Sequence, residues 1–164
     1  MIKSVIWTVI LAVIAALLGS TIKGQFTLDV FPDIALCILV FSAYVNGTMT
    51  GQISGFFSGL FIDFLSAAPL GLSSLVRTLI GAFTGIFKGA FFLDILLMPV
   101  ILCAIATILK AIIMFILHLF FGSAIPAYSF TSTVLWIELG MNCIIAPPLF
   151  LVLKRLKPLV MKRN

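Results

Sequence analysis

Charge is what this sequence has least of. Lys, Arg, Asp and Glu make up 9% of its 164 residues, against 63% hydrophobic. A soluble domain is about a quarter charged. So few charges cannot cover a surface in water, which excludes a soluble globular protein and leaves an integral membrane protein of one domain. Acidic residues are scarcer still, with five Asp and Glu against ten Lys and Arg. Histidine occurs once, as His118. Any Ser-His-Asp or Cys-His site would have to be built around it, and no carboxylate lies near it in sequence. HExxH, GxxxxGK[ST] and GxSxG are all missing, so no enzyme and no cofactor is expected. Three cysteines, Cys37, Cys103 and Cys143, all sit in apolar runs. An odd number without close spacing argues against a disulfide framework or a zinc site. They are expected to pack as small apolar residues.

What the sequence does have is length of apolar run. A helix crosses the hydrocarbon core with about 20 residues. The hydropathy predicts an all-α, six-helix membrane bundle with spans at about 4–22, 33–46, 48–65, 72–88, 95–119 and 133–153. The first run ends in Gly-Ser-Thr-Ile-Lys-Gly rather than a cleavage site, so it is expected to be a span and not a secretory signal. Lys23, Gln25 and Asp29 mark the link after it, Lys88 to Asp94 a brief link, and Gly122 to Ser132 a looser stretch with Pro126 and Tyr128. Pro32-Asp33 suits a helix start. The tail from 154 to 164 carries Lys154, Arg155, Lys157, Lys162 and Arg163. The positive-inside rule puts it in the cytoplasm, and an even span count puts the N-terminus there too. Beside a last span the tail sets topology and touches anionic lipid, so no nucleic acid is expected.

Glycine is placed with unusual regularity. Gly47, Gly51, Gly55 and Gly59 recur at every fourth position, and Gly81, Gly85 and Gly89 repeat the spacing in the next span. Glycine inside a soluble helix costs about 1 kcal/mol relative to alanine. In lipid, small residues at this spacing let helix backbones approach closely. These seven glycines are expected to form a groove for close packing, either against another helix of the same chain or against a partner's transmembrane helix or a second copy. Ser54 and Ser58 widen the stripe, and Ala12 and Ala16 repeat it on the first span.

Ionisable residues at membrane depth are costly and point to function or to buried pairing. Asp63 and Arg77 flank one short turn, which predicts an ion pair locking a helical hairpin. Lys110 and His118 share a face of span five, and either is placed to meet Glu138. Asn142 with Pro147-Pro148 predicts an interrupted or kinked last helix.

One string is more specific. Phe31-Pro32-Asp33 is followed by the glycine-rich helix and by Gly59-Leu-Phe-Ile-Asp63-Phe-Leu-Ser66-Ala-Ala-Pro69-Leu-Gly71. This resembles the rod shape-determining protein MreD family, with its Pro-Asp and its G-x-x-x-D-x-x-S-x-x-P-x-G. The detailed match covers about a quarter of the chain. The resemblance implies a non-enzymatic scaffold of the bacterial inner membrane that binds MreC. It further implies association with RodA, RodZ, MreB and a penicillin-binding transpeptidase, in support of peptidoglycan synthesis and rod shape. The implied fold is similar to the six-helix substrate-binding subunits of energy-coupling-factor transporters. Such a solute-binding subunit is the alternative function, and Ala12-x-x-x-Ala16 is the spacing it would dock with. Within the motif, Asp63 and Ser66 are expected to hydrogen-bond where the helix ends. Pro69 is expected to stop the helix, and Gly71 to supply a positive φ.

Overall fold

The structure is a computed structural model, and it describes residues 2–25, 30–66, 69–89, 97–122, 125 and 133–156, with side chains omitted for 23–25. Several sequence features lie outside the described residues: the loop residue Asp29, Ala67-Ala68 of the motif, residues 90–96, Pro126, Tyr128 and the basic tail beyond 156.

The described residues form six helices: α1 Ile2–Gln25, α2 Ile34–Asn46, α3 Thr48–Leu65, α4 Leu72–Ile86, α5 Leu97–Phe121 and α6 Thr133–Arg155. No strand occurs among the described residues. Among the described residues three helices are long and apolar enough to cross a bilayer, over Ile2–Ile22, Leu97–Phe121 and Thr133–Arg155.

Helix α2 is the axis of the bundle and touches the other five. It is apolar all round, and ten of its 13 residues are buried, as expected for a helix enclosed by others. At 1.5 Å per residue it is about 20 Å long, short of a hydrocarbon core of about 30 Å. Its neighbours rather than lipid surround it, so its length need not match the membrane. Leu36, Leu39 and Val40 are fully enclosed, and Phe41 meets Phe150 of α6 edge-on at 5.0 Å between centroids. Cys37 and Cys103 join this core, and all three cysteines are free thiols.

The glycine stripes have an internal purpose. Gly51 lies against the carbonyl of Gly81, Gly55 against that of Arg77, and Gly59 against the backbone of Ser73 and Ser74. Gly85 returns the contact onto Gly47 and Thr48. Backbone meets backbone along the whole α3–α4 hairpin. The expected groove for a partner is therefore already filled by the neighbouring helix of the same chain. The physical reason is connectivity. A six-residue turn brings the two stripes face to face, at far higher effective concentration than a separate protein offers. Two of the seven glycines act otherwise. Gly47 has φ +97° between α2 and α3, and Gly89 has φ +71° with nothing near its missing side chain. Ala12 is also enclosed within the bundle, which removes it as a docking stripe.

Helix α6 continues through Pro147-Pro148 without interruption. The expected interruption is therefore absent: each proline removes a donor and crowds the preceding turn, yet Ala146 and Phe150 on either side remain packed in the core.

Candidate functional site: a charged quartet beside a cleft

Asp33 is the N-cap of α2, and its Oδ1 accepts from the Leu36 amide at 2.9 Å. This satisfies one of the free N–H groups of the first turn. The same carboxylate accepts from Arg77 Nη2 of α4, at 2.8 Å on Oδ1 and 3.1 Å on Oδ2. Lys110 Nζ of α5 reaches Oδ2 at 3.2 Å and donates to Glu138 Oε1 of α6 at 2.6 Å. Four helices thus meet through two acids and two bases, with no net charge. Each of the four side chains is at most 20% exposed. In a low-dielectric setting a neutral, mutually hydrogen-bonded set is the arrangement that offsets the desolvation of its members.

Asn142 completes the frame. Its Oδ1 accepts from the Asp33 backbone N–H at 2.9 Å, and its Nδ2 donates to Thr107 Oγ1 at 3.0 Å. Thr107 donates in turn to the Cys103 carbonyl at 2.8 Å. One buried amide ties the start of α2 to both α5 and α6.

The expected Asp63–Arg77 pair does not form. Arg77 turns to Asp33, and Asp63 serves a different end. Its Oδ2 accepts from the amides of Gly71 and Ser74 at 3.0 and 3.1 Å, and its Oδ1 from that of Ser73 at 2.9 Å. Asp63 caps α4 from across the turn, where a negative charge also meets the positive end of the helix dipole. Three backbone donors at close range outcompete one guanidinium that has a second carboxylate within reach. Gly71 takes φ +95° to aim its N–H at Asp63, a backbone that suits glycine. The Pro69 carbonyl closes the turn by accepting from Leu72 at 3.2 Å. Ser66 donates its backbone N–H to the Ile62 carbonyl at 2.9 Å, and its hydroxyl makes a long contact of 3.5 Å to the Asp63 carbonyl. Pro32 is buried just ahead of the Asp33 cap.

Asp63→Ala is expected to leave three amides without their acceptor and to cost about 2–4 kcal/mol. Because Asp63 and Arg77 have separate partners, Asp63→Ala and Arg77→Ala should add within about 0.5 kcal/mol. Melting midpoints of the two single variants and the double check both statements.

Lys110 meets Glu138, one of the two pairings the sequence left open. His118 does not; its Nδ1 lies 2.8 Å from the Ile125 carbonyl. The role of Asp33 in gathering both cations was not visible in the sequence. Asp33 and Arg77 are 44 positions apart, and Asp33 to Lys110 spans 77. Counting the charges inside the spans names the members, but only packing assigns the partners.

Asp33, Arg77, Lys110 and Glu138 line an open cleft of about 280 Å³. Ala15, Ala16, Gly19 and Ser20 of α1 also line it, with Phe31, Ile62 and Val134. Among the described residues no cluster of His, Cys, Asp or Glu is placed to hold a metal ion.

No curated protein and no solved structure matches the chain. A family model described as rod shape-determining protein MreD matches residues 1–156. That match runs through all six helices, the Asp63 turn and the quartet alike. A membrane bundle of this sequence, matched over nearly its whole length, belongs to the rod shape-determining protein MreD family.

Proposed function

We propose that this chain is a non-enzymatic scaffold of the bacterial cell-elongation machinery, seated in the inner membrane with six crossings and both termini in the cytoplasm. It holds MreC and, through the assembly that includes RodA, RodZ, MreB and a penicillin-binding transpeptidase, supports peptidoglycan synthesis and rod shape. The family match carries the reading. The packing supports it as well. Polar groups are turned inward onto one another, while bulky apolar side chains cover the outside.

With the glycine stripes closed, a partner has to be met by large side chains. An apolar groove lies between α1 and α3, where Ile6, Val9, Ile10, Ile53, Phe57 and Phe61 line about 390 Å³. Phe57 and Phe61 are 45% and 50% exposed, which makes them free to serve as aromatic anchors. The transmembrane helix of MreC is the proposed occupant. Phe57→Ala with Phe61→Ala should lower co-purification of MreC by about tenfold or more while leaving the melting midpoint unchanged. Full recovery of MreC with the double variant would remove the groove from the proposal. Failure of the unaltered chain to retain MreC would remove the scaffold reading itself.

A further inference from the structure

We propose that the cleft beside the quartet binds a zwitterionic head group, an oxyanion and an ammonium carried on one small molecule. This goes beyond the scaffold reading and does not depend on MreC. Three observations carry it. First, Arg77 lines the cleft, and its Nη1 is buried without any hydrogen-bond partner. A buried, unmet donor on a charged group is unfavourable, and an oxyanion admitted beside Arg77 would supply the acceptor it lacks. Second, the lining holds two cations and two carboxylates, which sum to zero. A lone anion would leave the site negative at low dielectric, and a lone cation would leave it positive. A guest with one charge of each sign preserves neutrality, its oxyanion toward Arg77 and Lys110 and its ammonium toward Asp33 and Glu138. Third, α1 contributes only the small residues Ala15, Ala16, Gly19 and Ser20 to the lining, with the Phe31 ring packed against Gly19. A volume of about 280 Å³ lies at the small end of ligand sites and suits a head group rather than a large solute.

The source of that chemistry is either a zwitterionic phospholipid or a free solute, and one experiment separates them. The full chain in detergent is titrated with phosphatidylethanolamine, with the anionic phosphatidylglycerol and with free phosphoethanolamine, and the melting midpoint is read. At about 100 times the dissociation constant, the bound zwitterion should raise the midpoint by about 5 °C. Ala16→Leu fills the cleft from the α1 side without removing an ion pair, and should abolish the shift while the unliganded midpoint stays within about 2 °C. A response to phosphatidylethanolamine alone assigns the guest to the bilayer. A response to free phosphoethanolamine assigns it to a solute. The proposal is overturned by no shift with either zwitterion, by an equal shift with phosphatidylglycerol, or by an unaltered shift in Ala16→Leu.

Discussion

Gly55→Leu should abolish the folded state rather than trim an interaction. A Cβ at position 55 would overlap the Arg77 carbonyl, and the neighbouring amide of Thr78 is also in the way. Neither is the end of a flexible side chain, so no rotamer change relieves the clash. The α3 and α4 backbones must separate. That separation also opens the contacts of Gly51 with Gly81 and of Gly59 with Ser73 and Ser74. It draws Ser74 Oγ away from the Phe56 carbonyl, now 2.8 Å apart. Overpacking of an ordinary core costs about 1–3 kcal/mol. Here the obstruction is backbone on a continuous seam, so the expected loss is more than about 3 kcal/mol. Gly140→Leu is the matched control, since nothing lies within 4 Å of the missing side chain. Size-exclusion profiles and melting midpoints in detergent should show aggregation for the first and near-normal behaviour for the second. Were Gly55→Leu to stay monodisperse with an unchanged midpoint, the close-packed seam would be the wrong account of the glycines.

Removing Asp33 should be nearly as damaging, through charge rather than volume. Asp33→Ala deletes the cap of α2 and the acceptor shared by Arg77 and Lys110. Lys110 keeps Glu138 at 2.6 Å, whereas Arg77 is left buried beside no carboxylate that it contacts. Breaking a buried pair from one side costs about 3–5 kcal/mol, because the surviving charge is stranded. Adding Arg77→Met in the same chain removes the stranded charge and keeps an apolar stem of similar length. The double variant should therefore recover about 2 kcal/mol relative to the sum of the singles. The residual deficit reflects the lost cap, worth about 1 kcal/mol. A thermodynamic cycle over Asp33→Ala, Arg77→Met and their combination measures this directly. Strict additivity would mean that the two side chains meet without mattering to each other.

The two results bear on function differently. The hairpin seam is structural, so its variants would lose the proposed MreC contact merely by losing the fold. The exposed aromatics Phe57 and Phe61 of α3 and the small residue Ala16 of the cleft belong to neither the glycine seam nor the ion-pair quartet. They are the positions from which partner and ligand binding can be read.

Much of the architecture is legible in the amino-acid order because its cause is local. Charge scarcity dictates lipid as solvent, and the lengths of the apolar runs dictate six helices. Pro32-Asp33 announces the start of α2, and Pro69 with Gly71 announces the turn before α4. Those signals depend on neighbours in sequence, through backbone sterics and hydrogen bonds to nearby amides. Glycine spacing likewise declares close helix contact, yet it does not say with which helix. Tertiary structure alone decided that the stripes of α3 and α4 face each other, that Asp63 caps α4, and that Arg77 crosses to Asp33. Each of these is a choice among partners of like chemistry. Distance in the folded chain makes that choice, because Coulomb attraction and van der Waals contact act through space and carry no memory of separation along the sequence.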